Sequence, residues 1–413
     1  MLNYREDKLF IEDIEVKKLA IEHGTPLYVY SMPQIERNFK KIKEVFSDLP
    51  LKIVFAVKAN NNIHLLRKMK QLGIGADVVT MGEIKAAERA GIAHSEMVIN
   101  GNAKTEEEIE YAIKNDFLMI NIDSSDEYEL VEEIAKKLNK KPNISFRLNP
   151  DVDPKTHPHI STGLKENKFG INFEVGFLLI KEAHKSPYVN LKGIHTHIGS
   201  QILEVSPFYD AFTKVKELLG RLNRRGIKLS YYNIGGGWGI DYKRDGSGLN
   251  LEEYKKRVVP LLKEMDINII FEPGRFLIGN AGALVGKVLL TKINEGKRFI
   301  FVDIGMNDLI RPSLYDAYHH IFPVEDKKER PKIIADIMGQ LCESGDKVAQ
   351  GREVSDMERG EYLVVCDTGA YGYSMASNYN SRPKPKEILI EKDGIRVIRK
   401  RESIDDMFSL IPE

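Results

Sequence analysis

A lysine in an apolar run, a triple glycine, a glutamate ahead of a Pro-Gly-Arg turn and a His-x-His pair are the groups in this chain best suited to chemistry. Lys58 lies in FAVKAN, framed by Phe55, Ala56, Val57 and Ala59. Such a frame is expected to desolvate the amine, lower its pKa and favour the neutral nucleophile that imine formation needs. A lysine snorkelling to solvent from a strand end is the structural alternative. Gly235, Gly236 and Gly237 let backbone N–H groups approach a phosphate, or they simply form a turn. Glu272 can pair with a ring nitrogen and keep it protonated, which makes the ring an electron sink. Arg275 can hold a carboxylate through two parallel hydrogen bonds, although a plain Glu–Arg ion pair explains the same two residues. His195 and His197 stand two apart and point the same way on a strand. They suit a metal, or one packs while the other serves a site. Asp77 and Arg147 add charge in runs that are otherwise mostly apolar.

The elements that carry these groups repeat. Short apolar runs occur at 51–57, 76–79, 97–100, 118–122, 144–148, 191–198, 231–236 and 267–272. Their β-branched and aromatic content predicts strands of a parallel sheet buried on both faces. Longer amphipathic stretches lie between them. TEEEIEYAIKN opens on Thr105 with Glu108 three residues later, a capping box. SDEYELVEEIAKKLNKK is acidic early and basic late, as the helix dipole favours. The pattern is α/β, and eight such units predict a (β/α)8 barrel, with a doubly wound open sheet as the competitor. In a barrel, the C-terminal strand ends gather at one mouth, so Lys58, Asp77, Arg147, His197, the glycines and Glu272 would converge there. The polar stretch 149–172 is long for a connection in a compact domain and is expected to be a lid near that mouth.

Lys+Arg and Asp+Glu balance at 61 each, so no global field recruits nucleic acid or an anionic membrane. With two cysteines there is no disulfide framework, which suits a reducing cytoplasm. The charged first residues lack a signal-peptide core, and no apolar run reaches the ~20 residues of a membrane helix. The expectation is a soluble, cytoplasmic protein, and composition says nothing about its chemistry.

After about residue 280 the pattern turns to strands and Gly-containing turns, with a hairpin signal at Asp393-Gly394. The expected organisation is an N-terminal segment (1–25) joining a β domain, a barrel (26–278) and a C-terminal β-rich domain (279–413). Within the last, Arg311 and Tyr315 stand four apart. Cys342 and Glu343 occupy a polar turn, where an exposed thiol beside an acid is a candidate proton donor. Tyr371 lies in a Gly/Tyr-rich loop, and Cys366 reads as a core residue without a role.

The motifs FAVKAN, HIGSQ, IGGG, EPGR, RPSLYDAYHH, CESGD and GAYGYSM occur in this order. With them the chain resembles the diaminopimelate decarboxylases over essentially its whole length. These are pyridoxal-phosphate enzymes with an alanine-racemase-like barrel (fold type III), related to ornithine and arginine decarboxylases. The resemblance implies PLP-dependent decarboxylation of meso-2,6-diaminopimelate at its D-centre to L-lysine and CO2, the last step of lysine biosynthesis. It implies that Lys58 carries the cofactor and that His197 stacks on its ring. Gly235, Gly236, Gly237, Ser200, Gly274 and Arg275 would hold its phosphate, Glu272 its ring nitrogen, and Asp77 would belong to the same cofactor site. Arg275, Arg311 and Tyr315 would bind the substrate's distal carboxylate and Glu343 its distal amine. Tyr371 would touch both cofactor and substrate, Arg147 would lie near the reacting carboxylate, and Cys342 would donate the proton. Cys342 and Glu343 would come from the partner of a homodimer. Rival expectations are a decarboxylase of ornithine, arginine or carboxynorspermidine, a non-catalytic regulator of the same fold, and a metal-dependent barrel hydrolase built on His195 and His197.

Overall fold

The computed structural model describes residues 1–153, 168–326 and 329–412. Most of the stretch expected to form a lid, 154–167, lies outside the described residues. Two units are present: one of 41–239 and 248–276, the other of 1–40, 240–247 and 277–413.

The first unit is a closed parallel barrel. Strands Leu51–Ala56, Gly75–Val78, Met97–Ile99, Met119–Ile122, Asn143–Asn149, Asn190–His195, Tyr231–Asn233 and Asn268–Phe271 pair in sequence order, and the last pairs with the first. Gly75–Val78 and Met119–Ile122 are buried at every position, the burial that gives parallel strands their unbroken apolar runs. The helices between start where side chains satisfy free N–H groups. Thr80, Thr105, Ser124 and Asn250 each accept from the backbone three residues on, and Thr105 and Glu108 form the expected capping box. Gly91 and Asn139 end two of these helices in left-handed conformations.

An aromatic group packs beneath two of the barrel loops. Trp238 lies 4.7 Å from Phe271 and 5.1 Å from Phe276, ring centre to ring centre. Phe46 and Tyr254 complete the cluster. The ring that follows Gly237 is therefore wedged between the two that bracket Glu272–Arg275, and each loop braces the other.

The second unit is built on a sheet in the order Lys347–Ser355, Lys332–Met338, Lys297–Val302, Gly282–Asn294, Leu27–Ser31, Lys386–Glu391, Gly394–Arg399. Tyr362–Cys366 also pairs with Gly282–Asn294 and with Ile321–Pro323. The hairpin at Asp393-Gly394 forms as expected. Leu27–Ser31, which the sequence places at the start of the barrel, pairs here with Gly282–Asn294 and Lys386–Glu391. The N-terminal strands Leu2–Arg5, Lys8–Ile11 and Ile14–Glu15 form a small antiparallel sheet of their own. Its Leu9 and Ile11 enter one core with Leu27, Val29, Ala283, Val285, Val364, Cys366 and Ile388. Among the described residues no helix is long and apolar enough to cross a membrane.

Candidate active site

Each barrel strand contributes near its C-terminal end, as parallel barrel geometry requires. Lys58 sits in the single helical turn Val57–Ala59 that follows the first strand, and its Nζ donates to Asp77 Oδ2 at 3.1 Å. The side chain is 43% exposed, which corrects the expectation of a desolvated lysine. The turn carries Lys58 out of the apolar wall, and a carboxylate meets its amine.

Two buried acids, Asp77 and Glu272, share one donor. Asn100 Nδ2 donates to Asp77 Oδ1 at 2.6 Å and to Glu272 Oε1 at 2.8 Å. Asn233 Nδ2 reaches the same Glu272 oxygen at 2.6 Å. His195 Nε2 lies 3.3 Å from the other, Oε2, as a charge neighbour off the line of a good hydrogen bond. Behind Asn100 the chain of donors continues through Asn121 to Ser145, each donating toward the carboxylates. The acids respond in opposite directions. Burial pushes Asp77 up to about 6, against the pull of Lys58, with Glu272 adding repulsion. Burial also pushes Glu272 up, but His195, Lys58 and Asn100 outweigh it and leave this carboxyl far below the usual range. Glu272 is thus held ionised, with its charge neutralised by neighbours built for it.

His197 faces the glycine run. Its Nδ1 accepts from the Gly236 N–H at 3.1 Å, which puts the ring proton of the neutral imidazole on Nε2. Burial, with Arg147 and Lys58 nearby, holds its pKa well below the ordinary value. His195 and His197 therefore do different work, one against a carboxylate and one against a backbone amide. Arg147 is buried, with Nε 3.6 Å from Asp123 Oδ1 and its guanidinium over the Phe169 ring at 4.5 Å. Burial lowers its pKa, and Asp123, Glu272 and Asp77 draw it back.

The glycines are required by space. A Cβ on Gly235 would lie 2.5 Å from the Thr196 carbonyl, and one on Gly237 2.5 Å from that of Gly199. A Cβ on Gly236 would collide with the Glu272 carbonyl. Gly235 and Gly237 also have φ of +65° and +100°, where side chains strain the backbone. Beside this cradle Arg275, buried in the turn after Gly274, donates from Nη2 to Ser200 Oγ at 3.0 Å. Close-set amides, a hydroxyl and a guanidinium suit a phosphate, an amine at the mouth suits an aldehyde, and a buried ionised carboxylate suits a ring nitrogen. These are the parts a phosphorylated pyridine aldehyde would need.

The barrel unit thus gathers Lys58, Asp77, Arg147, His197, Ser200, Gly235, Gly236, Gly237, Glu272, Gly274 and Arg275. The second unit holds the other candidates. Arg311 and Tyr315 open and close one short helix. Cys342 and Glu343 lie exposed in a turn, with the Cys342 N–H donating to Asn380 Oδ1 at 2.9 Å. Tyr371 adopts φ +57°, a left-handed conformation that costs a bulky residue roughly 1–2 kcal/mol and so needs a structural reason. Cys366 is buried in its strand.

A model of the pyridoxal-binding domain of the pyridoxal-dependent decarboxylases matches residues 32–279. The diaminopimelate decarboxylase of Aquifex aeolicus is 46% identical over 404 residues, covering 98% of this chain and 96% of that one. The chain belongs to the diaminopimelate decarboxylase family. The Campylobacter jejuni diaminopimelate decarboxylase is 41% identical over 96% of this chain and 98% of its own. Among solved structures, the diaminopimelate decarboxylase of Methanocaldococcus jannaschii in co-complex with L-lysine matches with a TM-score of 0.94 at 39% identity, covering 100% and 98% of the two chains. That of Helicobacter pylori complexed with L-lysine matches at 0.91 and 40% identity, covering 96% and 98%.

Sequence reasoning missed four residues that support the acids, Asn100, Asn121, Ser145 and Asn233, and left His195 between a metal, a packing and a site role. Their signal was present as a polar residue interrupting or ending an apolar run, in MVIN, LMINI, ISFRL and YYNIGG. Trp238, the only tryptophan, was missed as well.

Proposed function

We infer that this chain decarboxylates meso-2,6-diaminopimelate to L-lysine and CO2 with pyridoxal 5'-phosphate. The observation that carries the chemistry is the ionised Glu272, held by Asn100, Asn233 and His195 at the barrel mouth that also presents Lys58. The bound cofactor supplies an electron sink for the pair left behind when CO2 departs. Lys58 anchors the cofactor through its ε-amine. The amides of Gly235–Gly237, with Ser200 and Arg275, hold the phosphate, with Gly274 shaping the turn. Glu272 holds a proton on the ring nitrogen, and His197 and Asp77 flank the ring and the Lys58 amine. Arg311 and Tyr315, with Arg275, bind the distal carboxylate, and Glu343 binds the distal amine. Tyr371 closes on cofactor and substrate, Arg147 orients the reacting carboxylate, and Cys342 gives a proton to the α-carbon. A distal head that carries both a carboxylate and an amine needs cationic and anionic partners together, which an ornithine site does not.

We also infer a homodimer in which the exposed Cys342–Glu343 turn of one copy completes the site of the other. The unbridged Cys342 and Cys366 support a reducing, cytoplasmic setting.

The experiment is CO2 release by the PLP-loaded enzyme from diaminopimelate, ornithine, arginine and lysine. Diaminopimelate should exceed the rest by at least about a hundredfold in kcat/KM, since a misfit leaves buried polar groups unpaired. A preference for ornithine or arginine would overturn the substrate assignment. A yellow holoenzyme surviving in Lys58→Ala would overturn the anchor.

A further inference from the structure

The motif CESGD holds more than Cys342 and Glu343. It lies in the connection between strands Lys332–Met338 and Lys347–Ser355, which pair antiparallel. Cys342, Glu343 and Ser344 are exposed, while Asp346, which closes the connection, is 2% exposed. The Asp346 carboxylate serves backbone amides. Its Oδ2 accepts from the Leu341 N–H at 2.7 Å, and its Oδ1 from the Met306 N–H at 2.6 Å. The next amide along, that of Cys342, donates to Asn380 Oδ1 at 2.9 Å. Beyond the thiol, the Asp346 N–H donates to the Glu343 carbonyl at 3.1 Å, and Ser313 Oγ donates to the Gly345 carbonyl at 2.6 Å. Gly339 leaves room for this arrangement, since a Cβ there would collide with the Asp346 carboxylate.

An exposed loop tip ordinarily takes several shapes, because water satisfies its amides in all of them. Here two consecutive amides are held by side chains from two different stretches of the chain, and a carboxylate is a strong acceptor for such bonds. The peptide planes on either side of Leu341 are thereby fixed, and the chain enters Cys342 in one direction. A thiol offered to the site of another subunit needs a turn that carries its own shape. We propose that Asp346 and Asn380 are positioning residues, which hold the amides of Leu341 and Cys342 and so fix where the Cys342 thiol delivers its proton. This rests on the reading of Cys342 as the proton donor.

The test uses PLP-loaded enzyme and diaminopimelate. Asp346→Asn keeps the shape and replaces one accepting oxygen by an NH2 group. Asn380→Gly removes the other acceptor, and glycine keeps the left-handed conformation that Asn380 adopts at φ +56°. Each should lower kcat about tenfold or more, as misplacement of a reacting group does. Proton delivery then becomes the slow step, so the ratio of kcat in H2O to kcat in D2O should rise above the wild-type ratio. Hydrogen exchange of the segment 339–347 should quicken about tenfold or more, with the flanking strands unchanged. Asn380→Asp, which keeps an accepting oxygen, should stay within about threefold of wild type in kcat. Wild-type kcat and isotope ratio in both loss variants would overturn the proposal. So would a loss of kcat with an unchanged isotope ratio, the mark of a merely structural defect. Should Asp346→Asn not fold, Asn380→Gly decides by the same readouts. A Cys342→Ala enzyme with wild-type kcat would instead remove the reading of Cys342 as donor, and this inference with it.

Discussion

Glu272 and Asp77 are two acids in one mouth that share a single asparagine donor and that burial and their other neighbours shift in opposite directions. Replacing Glu272 by Gln keeps the shape and removes the charge. It should lower kcat by about two to three orders of magnitude, as the loss of preorganised electrostatics does elsewhere, with the protein still folded. Steady-state kinetics beside a thermal melt check this. Asp77 predicts a pH effect of definite sign. Burial raises its pKa from 3.8 to about 6, so between these values the folded protein binds more protons than the unfolded one. Stability is therefore lost as pH rises through that window. Asp77→Asn cannot ionise, so the melting temperature of the cofactor-free variant should gain on wild type from pH 4 to pH 6 and hold that gain above. A constant difference across the range would contradict the raised value. In the sequence, Lys58, Glu272 and the glycines were legible because reactive types stand out in apolar runs. Asn100 and Asn233 were not, because an asparagine ending a run reads as a turn former, and only the closed barrel brings Asn100 onto a carboxylate 172 positions away.

At the scale of elements, the glycine run and the Glu272–Arg275 turn act as one piece, clamped by Trp238 between Phe271 and Phe276. Gly236→Ala forces its new methyl into the Glu272 carbonyl. It should cost about 1–3 kcal/mol of stability, as overpacking does, and weaken PLP binding more than tenfold. Urea titration and cofactor dissociation measure the two parts. On an exposed helix start, Thr105→Ala removes a capping box and should cost about 1 kcal/mol in the same urea assay. The eight barrel strands were legible because burial on both faces writes each one as an apolar run. The partners of Leu27–Ser31 were not, since a fully buried strand reads the same in either sheet and its neighbours lie more than two hundred residues away. Nor was the excursion 240–247, which leaves the barrel unit for a few residues and brings Tyr242 to Arg311.

At the scale of the whole molecule, the proposed shared-site dimer makes a quantitative prediction. Inactive Lys58→Ala and inactive Cys342→Ala, mixed equally and allowed to exchange subunits, should regain about a quarter of wild-type activity, because half the dimers are mixed and each mixed dimer has one intact site. Exchange proven by mass spectrometry without recovered activity would place Cys342 in its own subunit's site. The order of strands in the second sheet also bears on how the chain is made. Leu27–Ser31 leaves the ribosome early, yet one of its flanking strands starts at residue 282 and the other at residue 386. During synthesis one backbone edge of this wholly buried segment stays unmatched until Gly282–Asn294 is made, and the other until Lys386–Glu391 is made. A nascent chain halted before residue 386 lacks one of those edges for good, so stalled or truncated products should be the species that chaperones capture and proteases clear.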